Sequence, residues 1–526
     1  MPHHFTTCRI ALGCFALFLP SIASAQNGND IIRAIPTPGV TPPQPEIPEP
    51  GSPEDIRQTR RDKDLPELYV VEQASAPEPI PALKYRLYPS RGELKPGNSV
   101  PLYYRALVSL KDRSSAEHRR EFYDLMELLD DRPFSEYDDP EVREQADVLR
   151  GFESALQELE RAVYREQTDW DWQMTQLEGT DPITFRLPEV QEAREFSRIL
   201  SVKSRLAAAE GNIDEALRLN RINFKLAEMI AEPPTLINDL VGVAMSAISL
   251  AALRDTIVQT DCPNLYWALA ALPDPLISMN PGLEYESAMP EMMFPFLKNP
   301  AQSEHSAAEW ARLMRQMVHN LDDVSGQFRG SATGQDLLGA GMLVRSYPVA
   351  KRELAAQGWD RDELDQMPVG QVVAIYQKHV TRSIYDEFMK WSYTSYQERQ
   401  QSSRFQTDQK RFQQEQNRMR EPFPIATLLL PAVKQAKEAE VRMTAKIKGL
   451  MVLEAIRMHM AENDGQLPKT LDEITVVPAP KESPLTGQPF EYQKTEFGYA
   501  LIVPTMPETF GRKYWWEFQL KNAGQN

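Results

Sequence analysis

The chain has 526 residues, 42% hydrophobic and 25% charged, and its 58 Lys and Arg against 75 Asp and Glu give a net charge of -17. That length leaves room for two to four cores, because a single core stops growing at roughly 250 to 300 residues, and the composition is that of a globular chain. The acidic excess argues against nucleic acid, whose phosphates need clustered Lys and Arg, and disfavours an anionic membrane surface.

Arg9 precedes an apolar run from Ile10 to Leu19, and Ala23-Ser24-Ala25 places small residues before Gln26. Residues 1–25 therefore read as a signal peptide cleaved after Ala25, and the remaining chain as exported, periplasmic or extracellular. The run is far short of the roughly 20 residues needed for a membrane span. Cleavage leaves Cys262 as the only thiol, which excludes an intramolecular disulfide. Set in Asp261-Cys262-Pro263 beside apolar segments, it is expected to be buried and inert.

Eight prolines between Pro36 and Pro53, mixed with Gly, Glu, Gln and Thr, favour an extended polyproline chain that buries no core. Residues 26–81 are accordingly expected to be a Pro-rich disordered linker, closed by the patch from Pro77 to Pro81, with folding from near Ala82. The other reading of such prolines is a ligand for a groove-type domain.

From Tyr103 the pattern becomes helical. Phe122, Leu125, Met126 and Leu129 recur at i, i+3, i+4 and i+7, and Val148, Phe152, Ala155 and Leu159 continue the stripe. Val190 to Ala209 and Ile213 to Ile230 form a pair around Glu210-Gly211-Asn212, where Gly suits the position after a helix and Asn caps the next one. Pro233-Pro234 breaks the chain, and Thr235 opens a helix that is apolar or small from Leu240 to Leu253. Such a helix belongs at the centre of a core. It is expected to end at Arg254-Asp255, where charge returns.

The glycines at 326, 330, 334, 339 and 341 lack the spacing of a phosphate-binding loop and read as a flexible connection. Helices are expected at Tyr347 to Ala356 and Val369 to Trp391, and on through a Gln- and Arg-rich stretch to Arg420. A long helix follows from about Ala432 to Asn463, stopped by Asp464-Gly465, and then a small β-hairpin around Phe497-Gly498. The fold class is thus mainly α: a helical-hairpin body, a long C-terminal helix and a β-hairpin. Its expected divisions are a helical domain at 82–345, a helical segment at 346–421 and a helix-plus-hairpin module at 422–526.

Chemistry is sparse. No pair among His118, His305, His319, His379 and His459 has helical metal-ligand spacing, no Cys-x-x-Cys occurs, and neither Gly-x-Ser-x-Gly nor Ser-x-x-Lys is present. No catalytic, cofactor-binding or metal-ligating residue is therefore assigned. The most site-like cluster is Asp169-Trp170-Asp171-Trp172, in which aromatic faces and carboxylates suit a sugar; its plainer reading is two Trp anchoring a loop while both Asp cap or face water. Tyr266-Trp267 and the group Met289, Met292, Met293 and Phe294 read first as packing.

The segment Ala207-Ala208-Ala209-Glu210-Gly211-Asn212-Ile213-Asp214-Glu215-Ala216-Leu217 looks like one tetratricopeptide-type unit. More widely, Ala82-Leu83-Lys84-Tyr85-Arg86, Glu232-Pro233-Pro234-Thr235-Leu236-Ile237, Pro263-Asn264-Leu265-Tyr266-Trp267 and Pro484-Leu485-Thr486-Gly487-Gln488-Pro489-Phe490-Glu491-Tyr492 resemble an uncharacterised family of exported planctomycete proteins. That resemblance implies export and brings no activity with it. The C-terminal stretch is similar to the head of type II secretion pseudopilins, although here the long helix begins far from the N-terminus and Ser483 stands where an acidic residue often precedes the proline.

The expectation is an exported, non-enzymatic scaffold or binding protein whose partner is another exported or envelope protein. The alternatives are an exported polymer hydrolase working through paired carboxylates, signalled by an acidic cleft near Trp170 and Trp172, and an accessory protein of a secretion apparatus.

Overall fold

The computed structural model describes residues 66–521, apart from 72–74, 114, 131, 133, 186, 326–331, 420–424, 496–497 and 506–513. The signal peptide and the prolines from 36 to 53 lie outside the described residues.

The chain is mainly helical. Helices α1 (Val100–Arg113), α2 (Ala116–Asp130) and α3 (Glu153–Val163) bury Phe122, Leu125 and Leu159 in one cluster, joined by Phe152 from the 3-10 turn before α3. Helices α4 (Pro188–Ala209) and α5 (Ile213–Ala231) fold back on each other. Gly211 takes φ +78°, a left-handed turn that costs glycine no Cβ clash. Asn212 then caps α5 by accepting the Glu215 N–H at 3.3 Å. Polar rungs join the pair: Ser204 Oγ donates to the Ala216 carbonyl at 3.0 Å, and the Asn223 amide to the Ser197 carbonyl at 3.1 Å.

Helix α6 (Leu236–Ile257) packs on both, and Thr235 caps it by accepting the Asn238 N–H at 3.2 Å. Its 22 residues are long and apolar enough to cross a membrane, yet 78% of the most apolar window is buried inside the protein. It does not stop at Arg254-Asp255. The helix runs on to Ile257, and both charges are interior because each has a partner: Asp255 binds Arg205 at 2.6 Å and Arg254 at 2.7 Å. Burial of ions is tolerated only with such pairing. Arg254 also lies 4.2 Å from the Tyr69 ring centroid and 3.3 Å from Glu67, which ties α6 to strand β1 (Glu67–Val71).

Beyond α7 (Asn280–Met293) come α8 (Ala307–Ser325), α9 (Ala332–Ala356), α10 (Val369–Ser392) and α11 (Ser403–Met419). The expected flexible glycine connection is corrected here: residues 334, 339 and 341 are helical within α9, where Met342 and Leu343 pack on the core of α7 and α8. Glycines 326 and 330 lie outside the described residues. Met289, Met292, Met293 and Phe294 fill that same core with Trp310 and Met314, as packing.

The long helix α12 (Ile425–Glu462) begins earlier than its periodicity indicated, and it carries the C-terminal sheet. That sheet is larger than a hairpin. Its order is β1-β6-β5-β4, with β4 (Glu491–Thr495), β5 (Gly498–Pro504) and β6 (Tyr514–Leu520) antiparallel and β1 added in parallel to β6. Part of the segment read as a disordered linker is therefore strand, held by Tyr69 opposite Phe518. Trp516, Phe518 and Leu520 alternate inward on β6, and β5 meets α12 so closely that a Cβ on Gly449 would lie 2.9 Å from a Val503 methyl.

Below the sheet, Glu454 and Arg457 of α12 are fully buried and paired at 2.8 Å. Glu454 also accepts the Leu265 N–H at 2.8 Å, and Arg457 donates to the Cys262 carbonyl at 2.8 Å. Cys262 is free and buried, and burial pushes its thiol up to about 12.

Candidate functional site

Strands β2 (Lys95–Asn98) and β3 (Arg165–Gln167) form a short parallel pair that delivers the Asp-Trp-Asp-Trp loop to the end of α5. The loop is fastened from both sides. Asn98 Nδ2 donates to the Asp169 carbonyl at 2.7 Å, and Asn98 Oδ1 accepts the Asp169 N–H at 3.0 Å. The buried Trp170 indole donates to the Met229 carbonyl at 3.0 Å and meets Tyr103 edge to face, while Trp172 lies 4.8 Å from Trp170. Both indoles thus act as anchors, Trp170 buried and Trp172 partly buried against Trp170 and Phe185. Asp169 Oδ1 accepts the Asp171 N–H at 3.0 Å, and Asp171 turns at φ +49°, a conformation Asp tolerates better than most residues.

This fastening sets Asp169 across from the last turns of α5. Between them opens a cleft of about 410 Å³ lined by Glu166, Gln167, Thr168, Asp169, Lys225, Glu228, Met229 and Glu232. Four lining carboxylates face one lysine, and Lys225 is already ion-paired with Glu228 and lies over the Tyr88 ring. Partial burial lifts the Glu232 carboxyl above its ordinary range, the Glu228 and Asp169 charges push the same way, and Lys225 opposes them. The C-terminal end of α5 adds the negative pole of its helix dipole. The cleft is therefore acidic, with carboxylates outnumbering lysines among its lining residues.

Among the described residues no group of three or more His, Cys, Asp or Glu side chains is placed to hold a metal ion. The five described histidines stand apart from one another: His118 against Phe152, His305 against Trp310, His319 beside Asp336 at 3.1 Å, His379 on α10 and His459 on α12. Tyr266 is buried with its hydroxyl donating to the Pro478 carbonyl at 2.7 Å.

Of the cleft residues, Asp169 was legible in the sequence, whereas Glu228 and Glu232 were not. Glu228 lies in the last turn of α5 and Glu232 just past its end, and two like charges four residues apart do not by themselves mark a site. Comparison with known protein families, with curated proteins and with solved structures returns no match, so the reading of this site rests on its own geometry.

Proposed function

We propose that the chain is an exported, non-enzymatic binding or scaffold protein, and that its acidic cleft receives a Lys- or Arg-rich segment of another exported or envelope protein. The observation that carries this reading is the unbalanced charge of the cleft, where Glu166, Asp169, Glu228 and Glu232 share Lys225 as the one lysine among the lining residues. A tetratricopeptide-like body, with α4 and α5 as its unit, suits the presentation of such a surface. The test is titration of a labelled Lys-rich peptide against the chain and against the Asp169→Asn/Glu232→Gln variant. Affinity should fall with added salt and drop at least tenfold in the variant, about 1.4 kcal/mol. Equal affinity in both removes the proposal.

A second reading is favoured by Glu232 itself. A carboxyl raised by burial beside ionised neighbours is how a glycosidase divides acid from base. On that reading Glu232 is the acid and Asp169 or Glu228 the base of a polymer hydrolase. Glycan turnover that Glu232→Gln abolishes would replace the binding reading, and peptide binding without turnover would retain it.

A further inference from the structure

Two apolar cores meet along α7. Leu283 faces the core built on α6 and α12, whereas Tyr285, Met289, Met292 and Met293 belong to the core of Trp310 and Met314. The approach to α6 is close: a Cβ on Gly282 would lie 2.7 Å from the Leu236 nitrogen, and the Gly282 N–H donates to Asp239 Oδ2 at 2.9 Å. Helix α10 adds only a thin face to this seam. Of its described residues from 381 to 390, Thr381, Ile384, Tyr385 and Met389 are buried and the others are exposed.

Acid gathers at this seam without matching base. Glu286 of α7 and Asp239 of α6 are both buried, and Asp239 Oδ1 has no hydrogen-bond partner. The buried Tyr385 hydroxyl of α10 has none either, and burial together with the Glu286 charge holds its proton in place. From α12 come Glu440 and Lys437, already committed to each other at 2.8 Å; Glu440 also accepts the Met279 N–H at 2.7 Å, and Lys437 donates to Asn280 at 2.9 Å. Arg399 faces Glu440, and Tyr285, beside Glu286 on α7, donates to the Met174 carbonyl at 3.2 Å. Burial lifts the Glu286 carboxyl from 4.5 to about 7. It lifts Asp239 too, with the Glu440 and Glu286 charges adding to the rise and the Gly282 N–H and Lys437 opposing it. Pro290, one turn on, has no N–H for the Glu286 carbonyl, so α7 lacks a rung where its acid sits.

We propose that Glu286 is a proton-operated latch between the two cores: protonated, it lets α10 close over α6, α7 and α12, and ionised, it draws in water by releasing the buried face of α10 around Tyr385. A carboxylate with no cation left to pair with it is held in an apolar interior only at great cost, so its ionisation favours whatever motion wets it. Helix α10 is the element that yields, because its far side is already in solvent while α6 and α12 are buried nearly all round. The proton passes to solvent, and each core keeps its own packing. Since the carboxyl holds its proton more tightly folded than unfolded, the closed state has its full support below 4.5 and loses it as pH rises through 7. The acidic cleft at the end of α5 takes no part.

Native-state hydrogen exchange read by mass spectrometry on the full chain tests it, at pH 5 and pH 8, with rates corrected for the intrinsic pH dependence of amide exchange. Peptides covering residues 280–293 and 381–392 should lose protection at least about tenfold at pH 8, while peptides from 213–231 keep theirs. Glu286→Gln, which mimics the protonated side chain, should hold protection of the seam equal at the two pH values. Tyr385→Phe leaves the carboxyl in place and should keep the tenfold loss. Equal protection of the seam at both pH values in the unaltered chain overturns the proposal. So does a loss that spreads equally to 213–231, which is global unfolding, or a loss that persists in Glu286→Gln.

Discussion

Replacing Arg457 with Met removes one half of a wholly buried ion pair and the donor that satisfies the Cys262 carbonyl. Glu454 keeps only the Leu265 N–H at 2.8 Å, and its carboxyl, already raised by burial, loses the guanidinium that opposes that rise. Breaking such a pair from one side costs about 3–5 kcal/mol. Against a domain stability of about 5–15 kcal/mol this is a large fraction, and the urea midpoint should fall accordingly at unchanged slope. Far-UV circular dichroism in urea at pH 7 measures it. Glu454→Gln added to Arg457→Met should recover about 1 kcal/mol or more, because the uncompensated charge is then gone. A single-variant loss below about 1 kcal/mol, or strict additivity of the two changes, would refute the claim that this pair braces residues 262–265 against α12.

Burial pushes the Glu286 carboxyl from 4.5 up to about 7, so the folded chain holds a proton that the unfolded chain releases. Its stabilisation is complete below the unfolded value and is lost as pH rises through 7; Glu286→Gln should flatten that loss, by about 3 kcal/mol near pH 8, in urea midpoints taken at pH 5 and 8. Cys262 should not react with a disulfide reagent in the native chain and should react once urea unfolds it; a native rate near that of a free thiol would contradict its burial. Asn212→Ala removes the cap of α5 and should cost about 1 kcal/mol, read from the same urea curves.

What the sequence disclosed was local. The α4 and α5 pair was legible because Glu210-Gly211-Asn212 carries its own turn and cap chemistry, and the α2 stripe because Phe122, Leu125 and Leu129 keep one face. Strand β1 was not, since five residues after a Pro-rich run say nothing of a partner such as Phe518. Arg254 and Asp255 looked like a helix end because isolated charges belong in water, and the partner that lets Asp255 go inside, Arg205, lies on another helix. The same limit holds at the acidic cleft. Trp170 and Trp172 could be read as anchors from their neighbourhood, but the value of the anchoring, Asp169 held across from Glu232, exists only after folding.

The parallel pairing of β1 with β6 also sets a schedule. The first described strand waits, through the making of the described helices, for β6 to be synthesised, so the sheet over α12 closes only once β6 has been made. Contacts so distant in sequence form late, whereas the inward row of Trp516, Phe518 and Leu520 already has β5 and α12 to pack on. A chain cut short before β6 leaves Tyr69 without Phe518 and Arg254 without Trp516, and the body then carries an open seam along β1.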